Sequence, residues 1–442
     1  MKLQSIIQHS SAFITMNQFP RMLSAAALGA FAVISAQAQI NNNPPGGVRR
    51  GGGFVDAGPG TSVRSPEVNT NGTVTFRLQA LNAKTVRVFT DFPKLGDVPV
   101  NGSAGFDMVK DEKGVWSFTS PKLKPSYYQY WFVMDDLTMP DPMNTFVRPA
   151  SGVYKSIVAV PGKEAEFMMF RDVPHGNLNE HHYLNSENKT ARRVVIYTPP
   201  DYNTSGKSYP VVYLLHGAND YERGWTQAGM ANTIMDNLIA DGTSVPAIIV
   251  MPFGHDTTGS SGKLPEVRAL QSSLGYTPSP RGTGIRGTNA PGGPSAAVGP
   301  SYMEKDLLGY VVPYVEKEFR VLKDKNHRAI FGYSMGGGHS TTIGFGHAEL
   351  FSYVAGFSGY ANAQSSTMAK LLANPEKTNR DYKLIFFGSG TEDNAVNGGR
   401  ALHAAFTEKG IKHLWSEDAG YGHDYQIWRI YLHTLLQKTF RD

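Results

Sequence analysis

The stretch Arg328-Ala-Ile-Phe-Gly-Tyr-Ser-Met-Gly-Gly-Gly-His339 decides the fold predicted for this chain. Its first four residues are typical of a buried strand, and the run that starts at Gly336 predicts a helix. Ser334 lies at the junction, in a tight turn where small neighbours are needed at Gly332 and Gly336 because the strand and the helix approach closely. The first N–H groups of the helix then point at the oxyanion that forms when the serine attacks. The pentapeptide alone is weak evidence, but its strand and helix flanks predict a nucleophilic serine. The alternative is a glycine-rich turn with a structural serine.

Strands and helices alternate on both sides of this stretch. The strand segments are near-continuous apolar runs, as strands buried on both faces require. These runs are Arg193-Val-Val-Ile-Tyr, Pro210-Val-Val-Tyr-Leu-Leu, Ala247-Ile-Ile-Val-Met, Tyr353-Val-Ala-Gly-Phe and Lys383-Leu-Ile-Phe-Phe. Helical segments are predicted at about 230–240 and 301–319, and a last helix begins near Asp424. This order predicts a doubly wound, mostly parallel sheet with helices on both faces. Together with the serine turn that follows Arg328-Ala-Ile-Phe, it predicts the α/β-hydrolase class.

A serine hydroxyl is a poor nucleophile until a base takes its proton. In this fold the acid and then the histidine follow the serine, on loops after later strands. His423 lies in a Gly-rich loop just before the last helix and is the predicted base. The other histidines after Ser334 lie in or next to predicted helices or at a strand: His339, His347, His403, His413 and His433. The predicted acid is Asp393, in the loop after the strand that starts at Lys383, and Glu392 is the alternative acid. Capping of the next helix is the competing role for Asp393.

An oxyanion hole needs two backbone N–H donors that converge on the reacting carbonyl. One is expected from Met335, which follows the serine. The second is expected at the end of an early strand, from Gly217 or Ala218 in the run Leu-Leu-His-Gly-Ala. The side chain of His216 in the same run is expected to be structural.

The region from about 73 to 160 has a different pattern. Short alternating runs rich in β-branched and aromatic residues, such as Tyr127-Tyr-Gln-Tyr-Trp-Phe-Val-Met, are separated by turn residues and lack helical periodicity. They predict a small antiparallel β-sandwich. The predicted domains are therefore a signal peptide at 1–38, a flexible linker at 39–65, the sandwich at 66–162 and the hydrolase domain at 163–442.

Composition limits what a chain of 442 residues can do. Lys2 and Arg21 precede an Ala-rich apolar run that is too short for a membrane span and ends in Ala36-Gln-Ala, which predicts export to the periplasm or medium. The absence of cysteine excludes disulfides, a lipoprotein anchor and thiolate metal sites. The net charge of +5 falls by two when the signal peptide is removed, and no dense run of Lys and Arg is longer than a pair such as Arg49-Arg50. Nucleic acid is therefore not expected as a partner.

Taken together, these motifs resemble carbohydrate esterase family 1, which contains bacterial feruloyl and acetyl-xylan esterases. The resemblance runs from about Glu166 to the C-terminus. It is carried by Pro210-Val-Val-Tyr-Leu-Leu-His-Gly, Trp225, Glu304-Lys-Asp-Leu-Leu, Tyr333-Ser-Met-Gly-Gly-Gly, Phe357-Ser-Gly, Gly390-Thr-Glu-Asp and Gly422-His-Asp-Tyr-Gln-Ile-Trp. It implies Ser334 as nucleophile, Asp393 as acid and His423 as base, with no metal or other cofactor. The segment 61–161 resembles the early-set Ig-like module that precedes such esterases.

The resemblance implies an esterase that removes feruloyl or acetyl groups from plant polysaccharide such as xylan. Trp225, Tyr276 and Tyr360 are candidates to stack on a phenolic acyl group or a sugar, with ordinary packing as the alternative for each. The loop 254–300 looks longer than is usual for the family, and such loops shape the acyl pocket. A siderophore (enterochelin-type) esterase, an acyltransferase, and a non-catalytic carbohydrate-binding protein with a relict hydrolase domain remain the alternatives.

Overall fold

The computed structural model describes residues 63–92, 105–150, 153–185, 191–218, 220–255 and 302–441. The predicted signal peptide, the linker up to residue 62, and the loop 254–300 from residue 256 onward lie outside the described residues, and so does Tyr276. The described residues form an N-terminal β-sandwich followed by a larger α/β region.

The sandwich consists of two antiparallel sheets that enclose one apolar core. One sheet has the strand order β1-β2-β6-β5, and the other has the order β4-β3-β7-β10-β9, with β8 paired to β7. The strands are β1 (Glu67–Val68), β2 (Val74–Gln79), β3 (Val86–Thr90), β4 (Phe106–Asp107), β5 (Val109–Lys110), β6 (Val115–Thr119), β7 (Ser126–Met134), β8 (Leu137–Met139), β9 (Val147–Ala150) and β10 (Val153–Val160). This arrangement agrees with the predicted all-β module.

The position of strand β7 explains why its sequence is so rich in aromatic residues. Successive side chains of a strand point to opposite faces. Tyr128, Tyr130 and Phe132 are fully buried in the sandwich core. Tyr127, on the opposite face, belongs to the apolar cluster of the α/β region. The strand is therefore buried on both sides, and its second face packs against the α/β region.

An arginine in the last helix strengthens this contact between the two regions. The Arg429 side chain is fully buried. It donates hydrogen bonds to the Ser126 hydroxyl and the Tyr127 carbonyl of the sandwich, both at 3.1 Å, and to the Ala228 carbonyl at 2.7 Å. Because a buried guanidinium must be hydrogen-bonded to be tolerated, these bonds hold the two regions in a defined orientation.

The α/β region is built on one sheet, with the order β11-β12-β14-β13-β15-β16-β17-β18 within the described residues. Pairing is parallel from β14 to β18, and β11 and β12 add an antiparallel edge. The strands are β11 (Asn177–Leu184), β12 (Ala191–Thr198), β13 (Val211–Leu215), β14 (Ile248–Pro252), β15 (Arg328–Tyr333), β16 (Tyr353–Phe357), β17 (Leu384–Gly390) and β18 (Leu414–Asp418). Two apolar clusters, one on each face, cover this sheet.

Helices connect these strands. They are α1 (Tyr202–Ser205), α2 (Gly224–Gln227), α3 (Ala231–Ala240), α4 (Tyr302–Asp306), α5 (Val312–Glu318), α6 (Met335–Gly346), α7 (Ser366–Ala373), α8 (Pro375–Asp381), α9 (Val396–Glu408) and α10 (Tyr425–Leu436). A π-helical turn at Leu307–Val311 joins α4 to α5. In the part of the chain that the structure describes, no helix has the length and apolar character needed to cross a bilayer.

The predicted fold class is confirmed, because an α/β-hydrolase sheet follows an all-β sandwich. The antiparallel hairpin β11–β12 was not predicted from the sequence. Most of β11 is exposed, so its residues lack the apolar alternation by which a strand is recognised.

Candidate active site

Ser334 occupies the turn between the central strand β15 and helix α6. Its backbone has φ 54° and ψ −120°, a positive φ that is uncommon outside glycine. The Ser334 N–H donates to the Phe357 carbonyl at 2.8 Å, and its carbonyl accepts from Gly338 at 3.0 Å. The strained conformation is thus fixed by bonds to the neighbouring strand and to the helix, and it is the geometry of a nucleophile elbow.

Gly332 and Gly336 are required by the close approach of strand and helix. A Cβ on Gly332 would lie 2.4 Å from the Gly336 carbonyl oxygen. A Cβ on Gly336 would lie 2.5 Å from the carbonyl oxygens of Leu215 and His216. Because these obstacles are backbone atoms, they cannot move aside, and the two glycines of the pentapeptide have a steric explanation.

Asp393 and His423 are paired on loops after β17 and β18. His423 Nδ1 lies 3.0 Å from Asp393 Oδ1 and 3.1 Å from Oδ2. The Asp393 side chain is fully buried, whereas that of His423 is 32% exposed. Burial alone would raise the pKa of Asp393, but hydrogen bonds from His423 and other donors hold that pKa below its usual value. The carboxylate is therefore ionised at neutral pH, where it can accept a hydrogen bond from Nδ1 of His423.

The loops that carry this pair are joined by main-chain hydrogen bonds. The Glu392 N–H donates to the Tyr421 carbonyl at 3.0 Å, and the Thr391 N–H donates to the Asp418 carbonyl at 3.0 Å. The Glu392 side chain is exposed and Asp393 is buried. Between the two candidate acids, the geometry favours Asp393, which also accepts from the Ala395 N–H at 2.8 Å ahead of α9. That bond closes a turn ahead of α9, whose N-cap residue is Ala395 and has no side-chain cap, so the competing capping role for Asp393 is not seen.

Ser334 and His423 line the same cavity, which has a volume of about 320 Å³. Ala218 also lines it, and a Cβ on Gly217 would lie 3.1 Å from Ser334 Cβ. Met335 begins α6 directly after the serine. The residues predicted to form the oxyanion hole therefore lie around Ser334.

His216 holds the loop after β13 in place. Its Nδ1 lies 2.8 Å from the Gly217 carbonyl, and its Nε2 accepts from the Gly254 N–H at 2.8 Å. Burial, together with the nearby His255, lowers the pKa of His216 to about 3. The ring is therefore neutral and structural, as the sequence predicted.

A buried carboxylate that sequence reasoning missed lies next to the serine. Asp220 Oδ2 accepts hydrogen bonds from the hydroxyls of Tyr333 and Tyr425, the latter at 2.7 Å. The guanidinium of Arg148 lies 2.9 Å from the same oxygen. Burial would raise the pKa of Asp220, but Arg148 and its other partners lower it. Because Tyr333 immediately precedes Ser334, this network links a sandwich residue to the elbow.

The sandwich contributes one wall of the cavity. Its residues there come from β7, β9 and β10 and from the end of β3. They are Thr90, Asp91, Gln129, Trp131, Arg148, Ala150 and Lys155. No local motif marks these residues, since they reach the serine only through packing of the two regions.

Two of the residues predicted to stack on substrate, Trp225 and Tyr360, do not line this cavity, and the third, Tyr276, lies outside the described residues. Trp225 is fully buried, donates its Nε1–H to the Leu215 carbonyl at 3.0 Å and packs edge-on against Tyr333 at 5.2 Å. Its predicted substrate contact is therefore wrong for this structure, because it supports the elbow from inside the core. The Tyr360 hydroxyl donates to the Gly388 carbonyl at 2.9 Å, which fixes that ring against β17. Trp131 is the tryptophan of the sandwich that faces the cavity, and the sequence did not single it out.

The Arg148–Asp220 pair gives a prediction about stability. The two side chains are only 3% and 6% exposed. Arg148→Met should lower the free energy of unfolding by about 3–5 kcal/mol, because it leaves a buried carboxylate without its cation. The double variant Arg148→Met/Asp220→Asn should lose less free energy of unfolding than the two single variants lose together. Urea denaturation followed by tryptophan fluorescence measures all three.

A matched control exists in the same sandwich. Arg87 Nε lies 2.9 Å from Asp107 Oδ1, but the two side chains are 42% and 89% exposed. Arg87→Met should therefore cost no more than about 1 kcal/mol. If the two arginine substitutions lowered the free energy of unfolding equally, the buried pair would not contribute more to stability than the exposed one.

The central parallel sheet, the serine elbow after β15 and the polar loops after β17 and β18 define a protein of the α/β-hydrolase class. Within that class the chain belongs to the esterase family described as "Putative esterase", whose family model matches residues 186–438.

Three proteins illustrate the similarity. An endo-1,4-beta-xylanase/feruloyl esterase of Xylanibacter ruminicola is 28% identical over 382 residues, which cover 85% of this chain and 46% of that protein. An esterase of Mycobacterium tuberculosis is 26% identical over 194 residues, 43% of this chain and 31% of its own length. The enterobactin esterase of Shigella flexneri has a TM-score of 0.54 and 18% identity, covering 83% of this chain and 92% of its own. The chain thus spans less than half the length of these two curated relatives.

Proposed function

We propose that this protein is a serine carboxylic-ester hydrolase that acts through an acyl-enzyme. The observation that carries the proposal is that His423, paired with the buried Asp393, lines one cavity with a serine in a strained elbow. His423 Nε2 takes the proton of Ser334, and the serine oxygen attacks the ester carbonyl. Backbone N–H groups of Met335 and of Gly217 or Ala218 stabilise the oxyanion.

The second half of the reaction uses the same groups. His423 gives its proton to the departing alcohol and then deprotonates the water that hydrolyses the acyl-enzyme. Asp393 holds the imidazole in the tautomer with its proton on Nδ1 and stabilises the imidazolium that forms. These steps need no metal ion or organic cofactor.

The proposed substrate is a feruloyl or acetyl ester on a plant polysaccharide such as xylan. Support comes from the Xylanibacter ruminicola relative, whose name pairs a xylanase with a feruloyl esterase and whose match covers 85% of this chain. The second candidate is a siderophore ester. It is favoured by the fold match to the enterobactin esterase, which extends over 83% of this chain and hence beyond the hydrolase region.

A panel of three esters tests this proposal. Purified protein is assayed with methyl ferulate, acetylated xylan and a catecholate siderophore, and product acids are quantified by chromatography. We expect kcat/KM above about 10⁴ M⁻¹s⁻¹ for the feruloyl or acetyl ester and at least a hundredfold less for the siderophore. The reverse order would assign the siderophore function.

Two controls distinguish the remaining alternatives. A sugar added as acceptor reveals acyl transfer if an ester forms in place of the free acid. Labelling by a fluorophosphonate reports an activated serine. If the protein is not labelled and hydrolyses none of the esters, a non-catalytic carbohydrate-binding protein is favoured.

A further inference from the structure

The face of the sandwich that lines the cavity carries a set of polar side chains in register. Strand β10 lies between β7 and β9, with Ile157 paired to Gln129 and Lys155 paired to Arg148. Residues two apart on a strand share a face. Gln129 and Arg148 therefore lie on the same face of this sheet, on either side of β10, and both line the cavity that contains Ser334.

Each of these two side chains is buried and has one polar atom left over. Arg148 is 2% exposed; its Nη2 lies 2.9 Å from Asp220 Oδ2, but its Nη1 has no hydrogen-bond partner within the described part of the chain. Gln129 is 7% exposed and donates from Nε2 to Asp91 Oδ2 at 2.9 Å. That bond fixes the amide orientation, and Gln129 Oε1 likewise has no partner among the described residues.

The two unpaired atoms are complementary. Arg148 Nη1 needs an acceptor, and Gln129 Oε1 needs a donor. A hydroxyl group is both a donor and an acceptor. One hydroxyl, or two on adjacent carbons, can therefore bond to both unpaired atoms. A carboxylate can accept from the arginine but repels the amide oxygen, and it would enter a cavity already lined by Asp91, Asp220 and Asp424. An apolar group would leave both atoms unpaired in a buried setting.

Two neighbouring side chains fit the same kind of ligand. The Trp131 ring lines the cavity, and Lys155 Nζ lies 4.4 Å from its centre. Phe89 also stacks on this ring, at 5.7 Å between ring centres. The tryptophan therefore offers an apolar surface beside hydrogen-bonding groups, which suits a ring that carries hydroxyls, either a sugar or a phenol.

We propose that the sandwich supplies a hydroxyl-binding subsite to the catalytic cavity, in which Arg148 Nη1 donates to, and Gln129 Oε1 accepts from, a hydroxyl of the substrate. This inference rests on the proposed esterase function and deepens it. It assigns the sandwich a direct part in substrate selection. The hydroxyl belongs either to the sugar on the alcohol side of the ester or to the phenol on the acyl side.

Three matched esters and two variants test the subsite. Methyl cinnamate carries neither hydroxyl, methyl 4-hydroxycinnamate carries the phenol, and a cinnamoyl ester of arabinose carries the sugar hydroxyls. Arg148→Lys keeps a cation near Asp220 but removes the forked donor, and Gln129→Met removes the acceptor. The measurement is the ratio of kcat/KM for each hydroxylated ester to that for methyl cinnamate, which does not depend on the fraction of active enzyme.

We expect one of the two ratios to exceed about tenfold in the wild-type protein, because a site built for a hydroxyl rejects the analogue that lacks it. That ratio should approach one in both variants, and the ester that shows it identifies the source of the hydroxyl. Arg87→Lys, on the same sandwich but outside the cavity lining, should keep the wild-type ratio.

The outcomes separate the subsite from the esterase itself. If the wild-type protein hydrolyses none of the esters, the proposed function fails and the subsite fails with it. If it hydrolyses them with ratios near one, or with ratios that survive both substitutions, then the subsite alone is wrong and water fills the two unpaired positions. Should Arg148→Lys fold poorly, Gln129→Met still decides, since it leaves the Arg148–Asp220 pair in place.

Discussion

Ser334→Ala should lower kcat by about 10⁶ while leaving the fold intact. The serine, the histidine and the carboxylate of such a site act as a unit, so loss of the nucleophile removes nearly all of their joint contribution. Alanine lacks only the hydroxyl, and the hydrogen bonds that hold the elbow involve the main-chain N–H and carbonyl of residue 334. The positive φ of 54° is already borne by a residue with a Cβ, so alanine adds no new strain.

The measurement is single-turnover and steady-state hydrolysis of whichever ester of the panel is turned over fastest. Circular dichroism and thermal unfolding should match the wild-type protein, and fluorophosphonate labelling should disappear. Thr342 lies exposed on the same helix α6, so Thr342→Ala is the matched control and should keep wild-type turnover. Turnover by Ser334→Ala within tenfold of wild type would contradict the assignment of the nucleophile.

The sequence could predict the elbow because its determinants are local. A strand, a serine between two glycines and a helix follow one another within a dozen residues, and the structure shows the backbone contacts that require those glycines. The pairing of His423 with Asp393 was predictable for a related reason. Chain order in a parallel sheet dictates which loops meet at the carboxyl edge, and His423 and Asp393 lie on two such loops.

The wall contributed by the sandwich could not be predicted in this way. Arg148 contacts Asp220 across a separation of 72 positions in the chain, and neither residue belongs to a motif. Buried ion pairs between two regions depend on how their surfaces dock, which no periodicity encodes. The same limit explains why a substrate contact was predicted for Trp225, which is fully buried. From sequence alone, an aromatic residue near a site could either line the site or pack beneath it.

Asp393→Asn should lower kcat by about 10⁴ and is the sharper test of how the site works. In the proposed mechanism the carboxylate accepts the Nδ1–H of His423 and leaves Nε2 free to act as a base. The Ala395 N–H donates to Asp393 Oδ1, so the amide oxygen of asparagine should stay at that position. Its NH₂ group then takes the place of Oδ2, which lies 3.1 Å from His423 Nδ1. The amide oxygen remains 3.0 Å from Nδ1, but the NH₂ group competes as a donor to the same nitrogen. That competition favours the tautomer with the proton on Nε2, which is the wrong one for a base.

Glu392 provides the control for this substitution, because it is the adjacent carboxylate and its side chain is exposed. Glu392→Gln should keep kcat close to wild type. Nitrogen-15 NMR of labelled histidine reads the tautomer directly and separates this mechanism from a general loss of structure, which would also lower the melting temperature. A small loss in Asp393→Asn together with a large loss in Glu392→Gln would reassign the acid. A large loss in Asp393→Asn with the proton still on Nδ1 would instead attribute its effect to the missing negative charge, which stabilises the imidazolium as the serine attacks.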